Sequence, residues 1–288
     1  MLTKAYQLAK DPPPAMEWRE YETQSLLEWR RLLDSPEASD EGAVHRFLER
    51  NPSFVPGAFS FPQSGHYPLY CGVFTKPLIS GLGTYIPDFL WLATASDLIF
   101  PVFVEIEVPT KHWFTKSGQP TAEFTQARSQ LVDWAAWMRK PENELVFRSH
   151  FGISGAYARY EIRPQYLLIY GRRKEFESRP ELLPKRTRNQ GWDEHHITFD
   201  RLNPDYKAKD LMTVRMRNSR VEAMVVPPTL ELSPALALSW SEVRGRSEAA
   251  LSETRMTESR RAFVAERIAY WDRWAEGSSH FFCGSDYE

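Results

Sequence analysis

The segment that most constrains this chain runs from Leu98 to Val108. It is almost wholly apolar and β-branched, yet Glu105 and Glu107 alternate with Ile106 and Val108. In an extended chain successive side chains point to opposite faces. Val102, Val104, Ile106 and Val108 therefore share one face, and Phe103, Glu105 and Glu107 share the other. Two carboxylates on one face of an otherwise apolar strand need either water or a cation. The run is interrupted by Pro101 and far shorter than the roughly 20 apolar residues of a bilayer span, which argues against a membrane protein.

A third carboxylate lies 17 residues upstream, in Ile86-Pro87-Asp88-Phe89. If Ser96-Asp97 is a two-residue turn, Ala95 pairs with Leu98 and Asp88 falls directly opposite Glu105. Side chains opposite one another in an antiparallel pair point the same way, about 5 Å apart at Cβ, which leaves room for one divalent ion. Pro101 weakens that register, because proline in a strand implies an edge, a bulge or a later start. A hard cation, Mg²⁺ or Mn²⁺, resolves the repulsion and can activate a water. The competing reading is an exposed edge strand with alternating apolar and acidic residues.

The rest of the chain supplies a frame. Apolar residues recur at helical spacing over Tyr21–Leu33, and Ser35-Pro36 reads as a cap opening a second helix that stops at Asn51-Pro52. Period-2 patterning predicts strands at Tyr67–Phe74, Thr84–Ala93 and Phe100–Val108. A long helix follows over Thr121–Arg139, with Leu131, Trp134, Ala135 and Met138 as its apolar stripe, closed by Pro141. Strands at Tyr166–Tyr170 and His196–Phe199 flank an irregular basic stretch. Pro227–Pro234 reads as a linker. A last helix, Thr257–Glu276, carries Val264, Ile268, Trp271 and Ala275 on a face suited to docking on the domain or on a second subunit. The expected division is a head and helix over 1–36, a central domain over 37–225, and a linker and helix over 226–288. The expected class is α/β (α+β), with a mixed central sheet flanked by helices and extra helices at both ends.

The order of helix, Pro-Asp, Glu-x-Glu, long helix and strand resembles the PD-(D/E)XK nuclease fold. Within it the chain resembles the Shedu-type (SduA) family of anti-phage defence nucleases. Five motifs carry the resemblance: Phe47-Leu48-Glu49-Arg50-Asn51-Pro52, Val104-Glu105-Ile106-Glu107-Val108-Pro109, Ala127 with Gln130-Leu131-Val132-Asp133-Trp134, Leu168-Ile169-Tyr170-Gly171-Arg172-Arg173, and Ile197-Thr198-Phe199-Asp200-Arg201-Leu202. They span roughly residues 41 to 205. The resemblance implies a Mg²⁺- or Mn²⁺-dependent DNA endonuclease that self-associates. In it Asp88, Glu105 and the carbonyl of Ile106 hold the metal, Glu107 or Lys111 orients water, and Gln130 holds the phosphate or a bound water. Glu41 matches a position from which related nucleases add a carboxylate; a helix-dipole role explains it equally well. The fold's usual lysine two positions after the glutamate is replaced by Glu107, which leaves open a non-catalytic module that binds DNA or a partner. A structural or regulatory subunit built on the last helix is a third reading.

Net charge, −2 from 36 basic and 38 acidic residues, gives no global case for nucleic acid. It is unevenly distributed. From Arg172 to Arg220 there are 13 Lys plus Arg against 8 acidic residues, whereas the first 52 residues hold 7 basic and 10 acidic. Arg172, Arg173, Lys185, Arg186 and Arg188 are the candidate phosphate contacts, with a solvated basic face as the alternative. Gly81-Leu82-Gly83 lacks a dinucleotide loop's third glycine, and the seven histidines form no zinc spacing. Two cysteines and no signal-type apolar core in Met1–Met16 lead us to expect a cytoplasmic protein.

Overall fold

The computed structural model describes residues 6–60, 65–79, 81, 86–277 and 281–288. Leu82 to Tyr85, which include the start of the strand expected from Thr84 and the Leu82-Gly83 part of Gly81-Leu82-Gly83, lie outside the described residues. The strands are β1 (Tyr67–Pro68), β2 (Gly72–Thr75), β3 (Phe89–Ala95), β4 (Leu98–Ile106), β5 (Glu161–Ile162), β6 (Gln165–Ile169), β7 (Glu194–Ile197), β8 (Met212–Arg217) and β9 (Arg220–Val225). The helices are α1 (Trp18–Leu33), α2 (Glu41–Arg50), α3 (Ala122–Met138), α4 (Pro141–His150), α5 (Lys174–Ser178), α6 (Leu183–Arg188), α7 (Pro234–Trp240), α8 (Arg246–Ser252) and α9 (Glu258–Ala275).

The strands form one mixed sheet in the order β7-β6-β4-β3-β2-β8-β9, with β1 beside β3 and β5 beside β4. Strands β3 and β4 form the antiparallel hairpin expected around Ser96-Asp97. Ser96 takes the left-handed conformation, and the ladder runs unbroken from Ala95↔Leu98 to Phe89↔Val104. Pro101 does not disturb it, for a reason visible in the hydrogen bonds. The carbonyls of Asp97 and Ile99 accept from the N–H groups of Glu161 and Arg163, so odd positions of β4 turn their polar groups away from β3. Pro101 shares that parity, and its missing donor falls at the seam between β5 and β6.

Strand β4 is thus a central strand, paired on both sides, and the edge-strand reading of its glutamates does not hold. Its Phe103 face is covered by α3 and α4, where Phe103 stacks on Trp134 at 5.8 Å and meets Phe147. The opposite face carries Phe89, on which His45 of α2 stacks at 4.7 Å. The long helix α3 closes at Met138, before Pro141 as expected, and Pro141 then opens α4 at the first helical position, where its missing N–H is no loss. The basic stretch expected to be irregular contains α5 and α6, and Asn218-Ser219, both left-handed, turn the hairpin β8–β9. The strand expected over Tyr67–Phe74 is broken at Tyr70 and Cys71, which both adopt positive φ.

The termini belong to the same core. Trp29 of α1 stacks on Phe47 at 4.8 Å and touches Phe54 and Phe199, so packing crosses the boundary expected at residue 36. The stretch expected as a linker is buried at Pro227, Pro228, Thr229 and Leu230. Arg260 of α9, only 1% exposed, explains this: its guanidinium donates to the carbonyls of Pro13, Leu230 and Glu288. Val264, Ile268 and Trp271 of α9 are buried within the chain. That face is therefore consumed internally, and it offers a second subunit no surface.

Candidate functional site

The site is built where β3 begins and β4 ends. Asp88 lies one residue beyond the last ladder pair, in register with Glu105. Its carboxylate accepts a hydrogen bond from the Ile106 N–H at 3.0 Å, which fixes it against the end of β4. The Glu107 N–H donates to the Ile169 carbonyl, so the ladder with β6 holds the next glutamate in an extended chain. All three carboxylates are buried, at 6% exposure for Asp88 and Glu105 and 9% for Glu107.

Burial at this density has an electrostatic cost. Loss of solvent pushes the Asp88 carboxyl up to about 7; Glu41 and Glu107 add to the shift, while the Ile106 N–H and the Lys76 ammonium oppose it. Glu105 is raised well above the ordinary carboxylate range, first by burial and then by Asp88, Glu107 and Glu41. A hydrogen bond from Gln130 on α3 works the other way. The Oε2 atom of Glu105 is buried without a hydrogen-bond partner. Glu107 is directed to Lys111, with which it forms an ion pair four residues along the chain.

The structure thus brings Asp88, Glu105, Ile106, Glu107, Lys111 and Gln130 together, with Glu41 exposed at the first turn of α2 but in electrostatic reach of the pair. It also brings in residues that the sequence reading missed. His45 places Nε2 3.9 Å from Asp88 Oδ1; burial, then the charge of Lys76, pushes its pKa down to about 4. Thr75 donates to Glu49 at 2.8 Å beside it. A signal was present, because Glu41, His45 and Glu49 recur at four-residue spacing along one face of α2.

Among the described residues no three His, Cys, Asp or Glu side chains are arranged to hold a metal ion by themselves. With Glu107 turned to Lys111, the donor set is the pair Asp88 and Glu105. That pair fits Mg²⁺, which keeps several waters and takes one or two carboxylates beside substrate phosphates. The orphaned Oε2 is the atom that a cation would satisfy.

The chain after Glu107 is tied to the fold by side-chain hydrogen bonds. Glu175 accepts from the backbone N–H groups of Trp113 and Phe114, and Thr121 caps α3 by accepting from Phe124 N–H. An open groove of about 600 Å³ runs along the first half of α3, lined by Thr121, Thr125, Gln126, Ser129 and Gln130.

The basic candidates divide. Arg172 is engaged inside the fold, donating to Asp200 at 2.8 Å and to the Leu33 carbonyl at 2.7 Å. Arg186 lies over the rings of Trp113 and Phe176 and donates to the His196 carbonyl. Lys185 is exposed with its ammonium on the Gly118 carbonyl at 2.9 Å. Arg173 and Arg188 are exposed, and among the described residues their side chains make no hydrogen bond or ion pair.

A mixed sheet flanked by helices, with a buried and mutually repelling carboxylate pair at a strand end, defines an α/β domain organised around an acidic centre. Residues 38–203, more than half of the chain and including every member of that centre, match the family described as Shedu protein SduA, C-terminal. The chain belongs to that family. No curated protein matches it. Among the described residues, no helix is long and apolar enough to cross a membrane.

Proposed function

We propose that Asp88 and Glu105 form the metal-binding pair of a PD-(D/E)XK-type centre, and that the chain is a Mg²⁺- or Mn²⁺-dependent DNA endonuclease of anti-phage defence acting in the cytoplasm. The observation that carries the reading is the buried pair itself, in register across two strands, with carboxyls that resist ionisation and one oxygen left unsatisfied. Family membership points the same way, since it suggests a part in anti-phage defence. A divalent ion bound there supplies water activation and charge neutralisation at the phosphate.

The residues of the chain do the rest. Gln130, bonded to Glu105 and lining the α3 groove, positions the phosphodiester between groove and acid pair. Glu107, steadied by Lys111, accepts a hydrogen bond from the attacking water and orients it. The water oxygen bonds to phosphorus and releases a proton to solvent, the bond to the leaving sugar oxygen breaks, and that oxygen takes up a proton from solvent. Arg173, Lys185 and Arg188 are the exposed cations assigned to the DNA backbone. Self-association is retained in this reading, on a surface other than the α9 face.

The engagement of Glu107 by Lys111 favours a second reading, a module that holds DNA without cutting it. Incubating supercoiled plasmid with the full chain and Mg²⁺ or Mn²⁺ separates the two. Nicking or linearisation that Glu105→Ala abolishes supports the nuclease. Salt-dependent binding without cleavage in either metal supports the module.

A further inference from the structure

We infer that Lys76 is the phosphate-contacting cation of this centre, supplied from the strand beside the acid pair in place of the lysine that β4 lacks. The inference rests on the phosphodiester reading above. Its first ground is register. Strand β2 pairs with β3 through Phe74↔Leu90 and Thr75↔Phe89, so the next position, Lys76, stands opposite Asp88. Asp88 in turn stands opposite Glu105. Lys76, Asp88 and Glu105 therefore form one row across three adjacent strands, and the Lys76 N–H donates to the Asp88 carbonyl at 2.9 Å.

The backbone gives a second ground. Lys76 has φ +40, a left-handed conformation that costs a non-glycine residue energy and persists only where its surroundings impose it. The chain turns there, directly after the ladder, and leaves the side chain exposed at the rim of a buried acidic site. Thirdly, its positive charge bears on both Asp88 and His45, lowering the carboxyl of the one and the imidazole of the other. Among the described residues the Lys76 ammonium makes no hydrogen bond or ion pair, whereas that of Lys111 is committed to Glu107.

A diester brought to two or three carboxylates meets repulsion that a free ammonium offsets. Its hydrogens suit a non-bridging phosphate oxygen, where charge grows as the water oxygen adds to phosphorus. Lys76 exchanges no proton in that step; it holds the oxygen while the leaving sugar oxygen departs with a proton from solvent.

The test compares wild type, Lys76→Ala and Lys76→Arg as full chains of matched thermal midpoint. Cleavage of plasmid is measured in Mn²⁺, and binding to a short duplex is measured by anisotropy in EDTA over a range of salt. The expected result is a loss of cleavage of about 100-fold in Lys76→Ala, recovered in part by Lys76→Arg. The salt dependence of binding should become shallower by about one counterion in the alanine variant. If wild type binds without cleaving, the nuclease reading fails and the salt slope still decides the role of Lys76. Wild-type cleavage together with a wild-type salt slope in Lys76→Ala overturns the inference; a slope unchanged in a non-cleaving protein does so equally.

Discussion

Asp88 and Glu105 face each other across β3 and β4, one residue past the last ladder pair, and the Ile106 N–H binds the Asp88 carboxylate at 3.0 Å. A backbone donor aimed at one acid of the pair fixes its geometry but does not neutralise the other. The pair is therefore anchored at Asp88 and mutually repelling before any ligand arrives, an arrangement suited to charge that comes from outside.

Neutralising one member should stabilise the protein where no metal is present. Glu105→Gln keeps the shape and the contact with Gln130 while removing the charge that repels Asp88 and Glu107. In EDTA at neutral pH we expect a gain of about 1 kcal/mol, or roughly 2–4 °C in thermal midpoint. Calorimetry in EDTA checks this, and a lower midpoint counts against repulsion within the pair.

Stability in EDTA should fall as pH rises. Folding raises the carboxyl of Asp88 to about 7 and that of Glu105 well above its ordinary range, so the native state holds protons that the unfolded chain releases. The linked stability is complete below the ordinary carboxylate range and is lost as pH climbs from about 4 through about 7. The loss assigned to Asp88 over that range is on the order of 4 kcal/mol. Urea melts at pH 5 and pH 8 should show it, and Asp88→Asn should flatten the difference.

Two arginines of the basic stretch should behave oppositely. Arg172→Ala removes bonds to Asp200 and to the Leu33 carbonyl, and should cost about 1–2 kcal/mol of stability with little effect on DNA affinity. Arg188→Ala, at an exposed and unpaired position, should leave the melting curve alone and weaken DNA binding at low salt. Denaturant melts and anisotropy titrations on both variants give the comparison.

Glu175 should prove structural. Its carboxylate satisfies two buried backbone donors in the chain that follows Glu107, so Glu175→Ala should cost about 2–3 kcal/mol in urea melts. Cleavage should fall with it as the Lys111 segment loosens, and Glu175→Gln should retain more of both.

The acid pair was legible because a hairpin's register follows from its turn: Ser96-Asp97 fixes Asp88 opposite Glu105 through simple alternation. The family motifs were legible for the same local reason, each lying within one element. What escaped notice depends on packing between distant segments. His45 reaches Asp88 only because α2 lies over Phe89, and Lys76 joins the row only once β2 pairs with β3. In the C-terminal layer α9 was legible within a residue at each end, whereas α7 and α8 were not, because they are short and polar residues hold the layer together. Arg260 and Arg246 are buried there against carbonyls and Asp272, and buried arginines break the apolar period by which helices are recognised.

The most direct test of the acid pair as a divalent-ion site is titration of Mn²⁺ into the full chain at pH 7.5, followed by calorimetry in buffers of different ionisation enthalpy. Wild type should bind Mn²⁺ and release protons as the pair ionises, with Asp88→Asn and Glu105→Gln each weakening binding by at least about tenfold. Wild-type Mn²⁺ affinity in both variants would contradict the assignment.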